Sequence, residues 1–127
     1  MKNIALIIPA YKPDAKLLNT INDAQNVGFD DILIIDDGSG EQFDNVFSKV
    51  EEIAGCTLLR HEINKGKGAA LKTAFSYFLE NRPDGIGVIT ADADGQHLTK
   101  DIIATAQKMK ENGNIVLGCR DFTAPQV

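Results

Sequence analysis

The sequence predicts an α/β fold, a mainly parallel sheet with helices on both faces. Three observations lead there. Short apolar runs alternate with longer stretches whose apolar residues fall at helical spacing. The runs are apolar throughout rather than at every second position, which is the pattern of strands covered on both sides. Each helical stretch lies between two such runs, so the connections are crossovers rather than hairpins.

The elements follow in order. Ile4-Ala5-Leu6-Ile7-Ile8 is the first strand, broken by Pro9. Pro13 and Asp14 open a helix with Leu17, Leu18, Ile21 and Ala24 on its apolar face, and Gly28 stands where a helix of that length closes. The second strand, Ile32 to Ile35, runs into Asp36-Asp37-Gly38-Ser39-Gly40. A second helix is expected over Gln42 to Ile53, with Phe43, Val46, Phe47, Val50 and Ile53 inward and Gly55 at its end. Cys56 to Leu59 makes the third strand, and a polar turn runs through Asn64. Helix three begins near Gly66 or Gly68 and turns Ala70, Leu71, Ala74, Phe75, Phe78 and Leu79 inward. Pro83-Asp84-Gly85 is a turn, Ile86 to Ala91 the fourth strand. Thr99 can cap a fourth helix through about Asn112, and Ile115 to Leu117 starts a fifth strand.

Composition narrows the function classes. The 127 residues form one expected domain, 1–127, with 43% hydrophobic and 24% charged residues, an ordinary soluble balance. A net charge of −5 argues against nucleic acid as a partner. Cys56 and Cys119 lack the spacing of a zinc site or redox pair and read as structural thiols. The first apolar run is too short for a signal sequence, and no stretch reaches transmembrane length. The expectation is a cytoplasmic domain, compatible with a parent chain at the inner face of the membrane. After Arg120, Asp121 to Val127 carries no helix or strand signal, so the domain is expected to be C-terminally truncated. An unfinished sheet edge favours pairing, and a homodimer is among the expected assemblies.

In open α/β sheets ligands bind beyond the carboxyl ends of the strands. Three such ends carry the conspicuous polar residues: Pro9-Ala10-Tyr11, Asp36-Asp37-Gly38-Ser39 and Asp92-Ala93-Asp94-Gly95-Gln96-His97. Asp92 and Asp94, one residue apart, project to one side in extended geometry and repel unless a cation or water lies between them. Gln96 adds an oxygen of the same parity. Such donors suit Mg²⁺ or Mn²⁺ shared with ligand phosphates, although a solvated acidic turn has the same sequence. Asn64-Lys65-Gly66-Lys67-Gly68-Ala69-Ala70 opens a helix and has two readings. Its N–H groups and Lys67 could meet phosphate, or its glycines could let the helix pack closely on the sheet. Tyr11 can stack on a nucleobase and Asp37 can accept its N–H groups. His97 reads as a loop residue, and His61 is assigned no role.

Taken together, Ile7-Ile8-Pro9-Ala10-Tyr11, Ile35-Asp36-Asp37-Gly38-Ser39, Asn64 to Ala70, Asp92 to His97 and Gly118-Cys119-Arg120 resemble the family 2 glycosyltransferases, especially the polyprenyl- and dolichol-phosphate sugar transferase branch. The resemblance spans nearly the whole chain. It implies a GT-A fold, a Rossmann-like three-layer α/β/α sandwich, of which this chain is the nucleotide-sugar-binding half. Pro9, Ala10, Tyr11, Asp36, Asp37, Lys67 and Asp92 would form the nucleotide site, Asp36 by supporting the loop beside Asp37. Asp92 and Asp94 match the family's D-x-D-type motif, and Gln96 a further metal contact in that branch. Arg120 matches an arginine near the acceptor phosphate, so Asp94 and Arg120 are the residues assigned to catalysis. Lys12-Pro13 replaces the usual Asn-Glu after the tyrosine, and Cys119 replaces the usual serine.

The implied reaction is an inverting transfer of a hexose-type sugar from a UDP- or GDP-linked donor to a lipid phosphate or a glycan, with cell-envelope biosynthesis as its setting. Two alternatives stand. A nucleotidyltransferase also joins such a sheet to a metal and a nucleotide, but usually carries a glycine-rich loop after strand one, where this sequence has Pro9-Ala10-Tyr11-Lys12-Pro13. A catalytically incomplete fragment that only holds nucleotide is the other.

Overall fold

The computed structural model describes residues 3–91 and the backbone of 118–119. Five parallel strands form one sheet in the order β3-β2-β1-β4-β5: β1 Ile4–Ala10, β2 Ile32–Asp37, β3 Cys56–His61, β4 Gly87–Thr90 and β5 Gly118–Cys119. The helices are α1 Lys16–Asn26, α2 Asp44–Glu51 and α3 Lys67–Asn81, with a 3₁₀ turn at Glu41–Phe43 leading into α2. The chain builds outward from β1 to β3, then crosses back past β1 to β4. A right-handed crossover running the opposite way puts its helix on the opposite face. Accordingly α1 and α2 cover one face and α3 the other, which is the expected three-layer, Rossmann-like architecture.

Strand parity divides the core. Ile4, Leu6, Ile8, Ile32 and Ile34 pack with Leu17, Ile21, Phe47 and Val50. Ala5, Ile7, Leu33 and Ile35 pack with Ala70, Ala74 and Phe78. Each of these isoleucines and leucines is fully buried and contributes about 1.5–3 kcal/mol over exposure. The apolar runs are continuous because both sets of side chains are covered.

Several boundaries differ from the expectations. α2 is shorter than Gln42–Ile53 because its ends tighten into three-residue bonds, with Glu52 N–H donating to Lys49 O and Ile53 N–H to Val50 O. β1, β2 and β3 each run two residues beyond the expected ends at Ile8, Ile35 and Leu59, and β1 continues through Pro9 rather than breaking there. Leu79, expected inside, is 69% exposed. It continues the flanking row of Leu71 and Phe75, one step round the helix from the Ala70-Ala74-Phe78 row that faces the sheet. The expected fourth helix and the residues Ile115 to Leu117 lie outside the described residues.

Candidate functional site

The register of the strands assembles the site. Ala10 pairs with Asp36 and Asp36 with Arg60, while Asp37 pairs with His61, so the polar strand ends form rows across the carboxyl edge. Asp36 and Asp37 are adjacent and point to opposite faces. Both are buried.

Asp36 turns toward α2. Its Oδ2 accepts from Arg60 Nε at 2.9 Å, and Arg60 Nη2 donates to Asp44 Oδ1 at 2.8 Å, with the guanidinium 5.4 Å above the Phe47 ring. Its Oδ1 accepts from Ser39 N–H at 3.0 Å, and Ser39 Oγ in turn accepts from Lys12 N–H at 2.8 Å. Lys12 sits in the left-handed region, at φ 51°, so Ser39 helps to hold a conformation that a lysine adopts reluctantly.

Asp37 turns toward α3 and takes four donors. Oδ1 accepts from Lys65 N–H at 2.9 Å and from His61 Nδ1 at 2.9 Å. Oδ2 accepts from Gly66 N–H at 2.8 Å and from Asn64 Nδ2 at 3.1 Å. Burial pushes the Asp37 carboxyl up, but the hydrogen bonds from His61, Lys65 and Gly66 outweigh it and hold the group below its ordinary value of 3.8. The carboxylate also lies at the N-terminal end of α3, where the helix dipole favours negative charge.

Gly38 joins the two systems. Its φ is 69°, and a Cβ there would stand 2.2 Å from Asn64 N and Ile63 C. The close backbone approach anticipated for the glycines of helix three is found here instead. A Cβ on Gly66 or Gly68 would meet nothing within 4 Å, and Gly66 serves through its φ of 95° as the N-cap of α3.

Above these residues lies a cleft of about 270 Å³, lined by Pro9, Ala10, Tyr11, Asp37, Asn64 and Gly66 together with Lys67. Tyr11 is 50% exposed there, with Lys12 Nζ 5.2 Å from its ring centre. The structure thus brings together Pro9, Ala10, Tyr11, Asp37 and Lys67, five of the residues singled out in the sequence. Asp36 braces the loop from beneath. A larger depression, about 370 Å³, lies at the opposite edge around Asn3, Asp31 and Arg82. There Arg82 is engaged in a two-armed pair with Asp31, at 2.8 and 3.1 Å, which ties the end of α3 to the start of β2.

Asp92, Asp94, Gln96 and Arg120 lie outside the described residues. The last residue described directly after β4 is Ala91, whose N–H donates to Ile7 O, and the strand order reverses between β1 and β4. Among the described residues no three His, Cys, Asp or Glu side chains converge as a metal site, and both buried aspartates have their oxygens engaged.

The sequence reading missed His61 and Thr73. His61 Nε2 lies 2.7 Å from Thr73 Oγ1 on α3, while its Nδ1 holds Asp37. The signal was available in the pairing of strands two and three, had the latter been carried on to His61. Arg60 and His61 are polar, and a polar strand end looks like the start of a turn.

The model of the family described as Glycosyl transferase family 2 matches residues 5–126. The UDP-N-acetylglucosamine–dolichyl-phosphate N-acetylglucosaminyltransferase of Methanococcus voltae is 33% identical over 94% of this chain and 52% of its own length. An uncharacterized protein of Methanocaldococcus jannaschii is also 33% identical, over 78% of this chain and 38% of its own. The chain thus spans about half, or less, of the length of these relatives. No solved structure matches it significantly.

Proposed function

The chain belongs to glycosyl transferase family 2, and from that premise we propose that it binds the nucleoside diphosphate of a sugar donor in the cleft over β1 and β2. The observation that carries the proposal is the convergence of the exposed Tyr11 ring, the Asp37-braced loop and Lys67 around one opening at the carboxyl edge. Tyr11 offers a stacking face for a base. A base N–H that reached Asp37 would take the place of the Asn64 amide, the longest of the four contacts. Lys65 and Gly66 N–H are committed to Asp37, so the diphosphate relies on Lys67 and on the residues after β4.

Asp92, Asp94 and Gln96 would hold Mg²⁺ or Mn²⁺. When bound, such an ion neutralises charge on the departing diphosphate. The proposed reaction is a single displacement that inverts the anomeric carbon. An acceptor oxygen bonds to that carbon as its bond to the diphosphate breaks, and the electron pair leaves on the nucleoside diphosphate. A lipid phosphate acceptor is already anionic and needs little help from a base. Arg120 is the cation proposed to meet it. The Methanococcus voltae relative is named for a UDP-N-acetylglucosamine donor and a dolichyl-phosphate acceptor, so these are the first pair to test. Because the chain spans 52% of that relative, the second reading is that it holds the donor without completing transfer.

Calorimetric titration with UDP and with GDP, each with and without Mn²⁺, tests the proposal. Metal-dependent binding of one nucleotide is expected, and Asp94→Ala should remove the metal-dependent part. Binding that is indifferent to Mn²⁺, or to the loss of Asp94, overturns the metal assignment. Absence of binding by either nucleotide overturns donor binding by this chain.

A further inference from the structure

We infer that His61 is a positioning residue for nucleotide binding: fixed between Asp37 and Thr73, it sets the Asn64–Gly66 turn that forms one wall of the cleft. The inference rests on the donor-site reading of that cleft. His61 touches none of the cleft's opening. It acts through Asp37, whose two oxygens accept the backbone N–H groups of Lys65 and Gly66.

The geometry gives each ring nitrogen a separate task. Asp37 is held ionised, so Nδ1, 2.9 Å from its Oδ1, carries a proton and donates. In the neutral ring Nε2 then accepts from the Thr73 hydroxyl at 2.7 Å. Thr73 stands on α3, within two turns of the helix start at Lys67. The ring therefore ties the end of β3 to α3 while it fixes the rotation of the carboxylate that grips the turn. With only 8% of its side chain exposed, His61 has little access to water as a replacement partner.

Without the ring, Oδ1 keeps only Lys65 N–H as a donor, and a nearly buried carboxylate (5% of its side chain exposed) is left partly unsatisfied. The carboxylate can then turn, and the bonds to Lys65 and Gly66 cannot both survive a rotation. The Asn64–Gly66 wall follows, since both of its ends line the cleft.

The test uses the isotope-labelled chain. Amide hydrogen exchange at Lys65 and Gly66 is measured beside the affinity for UDP and GDP, with the folded state checked by circular dichroism. His61→Ala should speed exchange at both amides and weaken nucleotide binding by about tenfold, the consequence of one lost charge-assisted hydrogen bond. His61→Asn, whose amide nitrogen can stand where Nδ1 stood, should restore most of both. Thr73→Val should give a smaller loss in the same direction, and it carries the test should His61→Ala fail to fold. Unchanged exchange and affinity in His61→Ala, or an asparagine variant no better than alanine, overturns the inference. Failure of the unmutated chain to bind either nucleotide overturns the donor reading instead, and exchange at Lys65 and Gly66 then decides whether His61 sets the turn.

Discussion

Asp36 and Asp37 are neighbours in the chain and opposites in the structure. Asp36 faces α2, and through Ser39 it holds the Lys12 backbone and so the Tyr11 side of the cleft. Asp37 faces α3 and holds the Asn64–Gly66 side. The difference lies in what each carboxylate grips. Asp36 shares its charge with Arg60, which is half-exposed and has a second partner in Asp44. Asp37 grips two backbone N–H groups directly, and these together with His61 hold it ionised. Two adjacent acids thus brace opposite walls, Asp36 at one remove through Ser39 and Asp37 by direct bonds to the wall's own backbone. Perturbing Asp36 should be softened by the solvated Arg60–Asp44 pair, whereas perturbing Asp37 should reach the turn at once.

The largest effect should come from the residue that serves both walls. Gly38→Ala puts a Cβ against the Ile63–Asn64 backbone at a positive φ, and neither can yield cheaply. A loss of about 3 kcal/mol or more in urea unfolding is expected, with nucleotide binding abolished. Next comes Asp37→Asn, which presents an amide N–H₂ to groups that are themselves donors. About 2 kcal/mol of stability should be lost, the worth of hydrogen bonds to a charged group. Asp36→Asn keeps an oxygen for Ser39 N–H, so its nucleotide affinity should fall less than that of Asp37→Asn. Equal losses in the two would break the comparison.

Acid offers the same contrast without mutation. The Asp37 carboxyl is depressed in the folded state, so its stabilisation is complete above the ordinary value of 3.8 and is lost as pH falls through the lower folded value. Exchange at Lys65 and Gly66 amides should quicken there, and Asp37→Asn should remove that pH dependence. Ser39→Ala removes the acceptor for Lys12 N–H and should cost about 1 kcal/mol, read as a lowered midpoint of thermal unfolding. The smallest effect is at Cys56, whose thiol burial pushes up to about 11, so thiol reagents should leave Cys56 nearly unlabelled in the folded chain at neutral pH.

Much of the fold was legible because hydrophobic periodicity is a local property. The β1 and β2 runs, the amphipathic stretches and the closing glycines each announce an element without reference to the rest of the chain. The grouping of Pro9, Ala10 and Tyr11 with Asp37 was legible as well, because parallel strands bring their carboxyl ends to one edge. The reading stopped two residues early in β1, β2 and β3 alike, and in β3 this hid Arg60 and His61, which point their polarity at partners 24 residues away.

What the sequence determined by itself was the order of strands and helices, the two-sided burial of the sheet and the edge where the cleft residues meet. Only the tertiary structure decided that Asp36 and Asp37 divide their work between two faces, that His61 stands behind Asp37, and that Gly38 rather than Gly66 or Gly68 is the point of close approach. The physical reason is range. Periodicity and turn preference act over a few residues, whereas a hydrogen bond or a steric contact depends on strand register and on which segment the fold brings alongside.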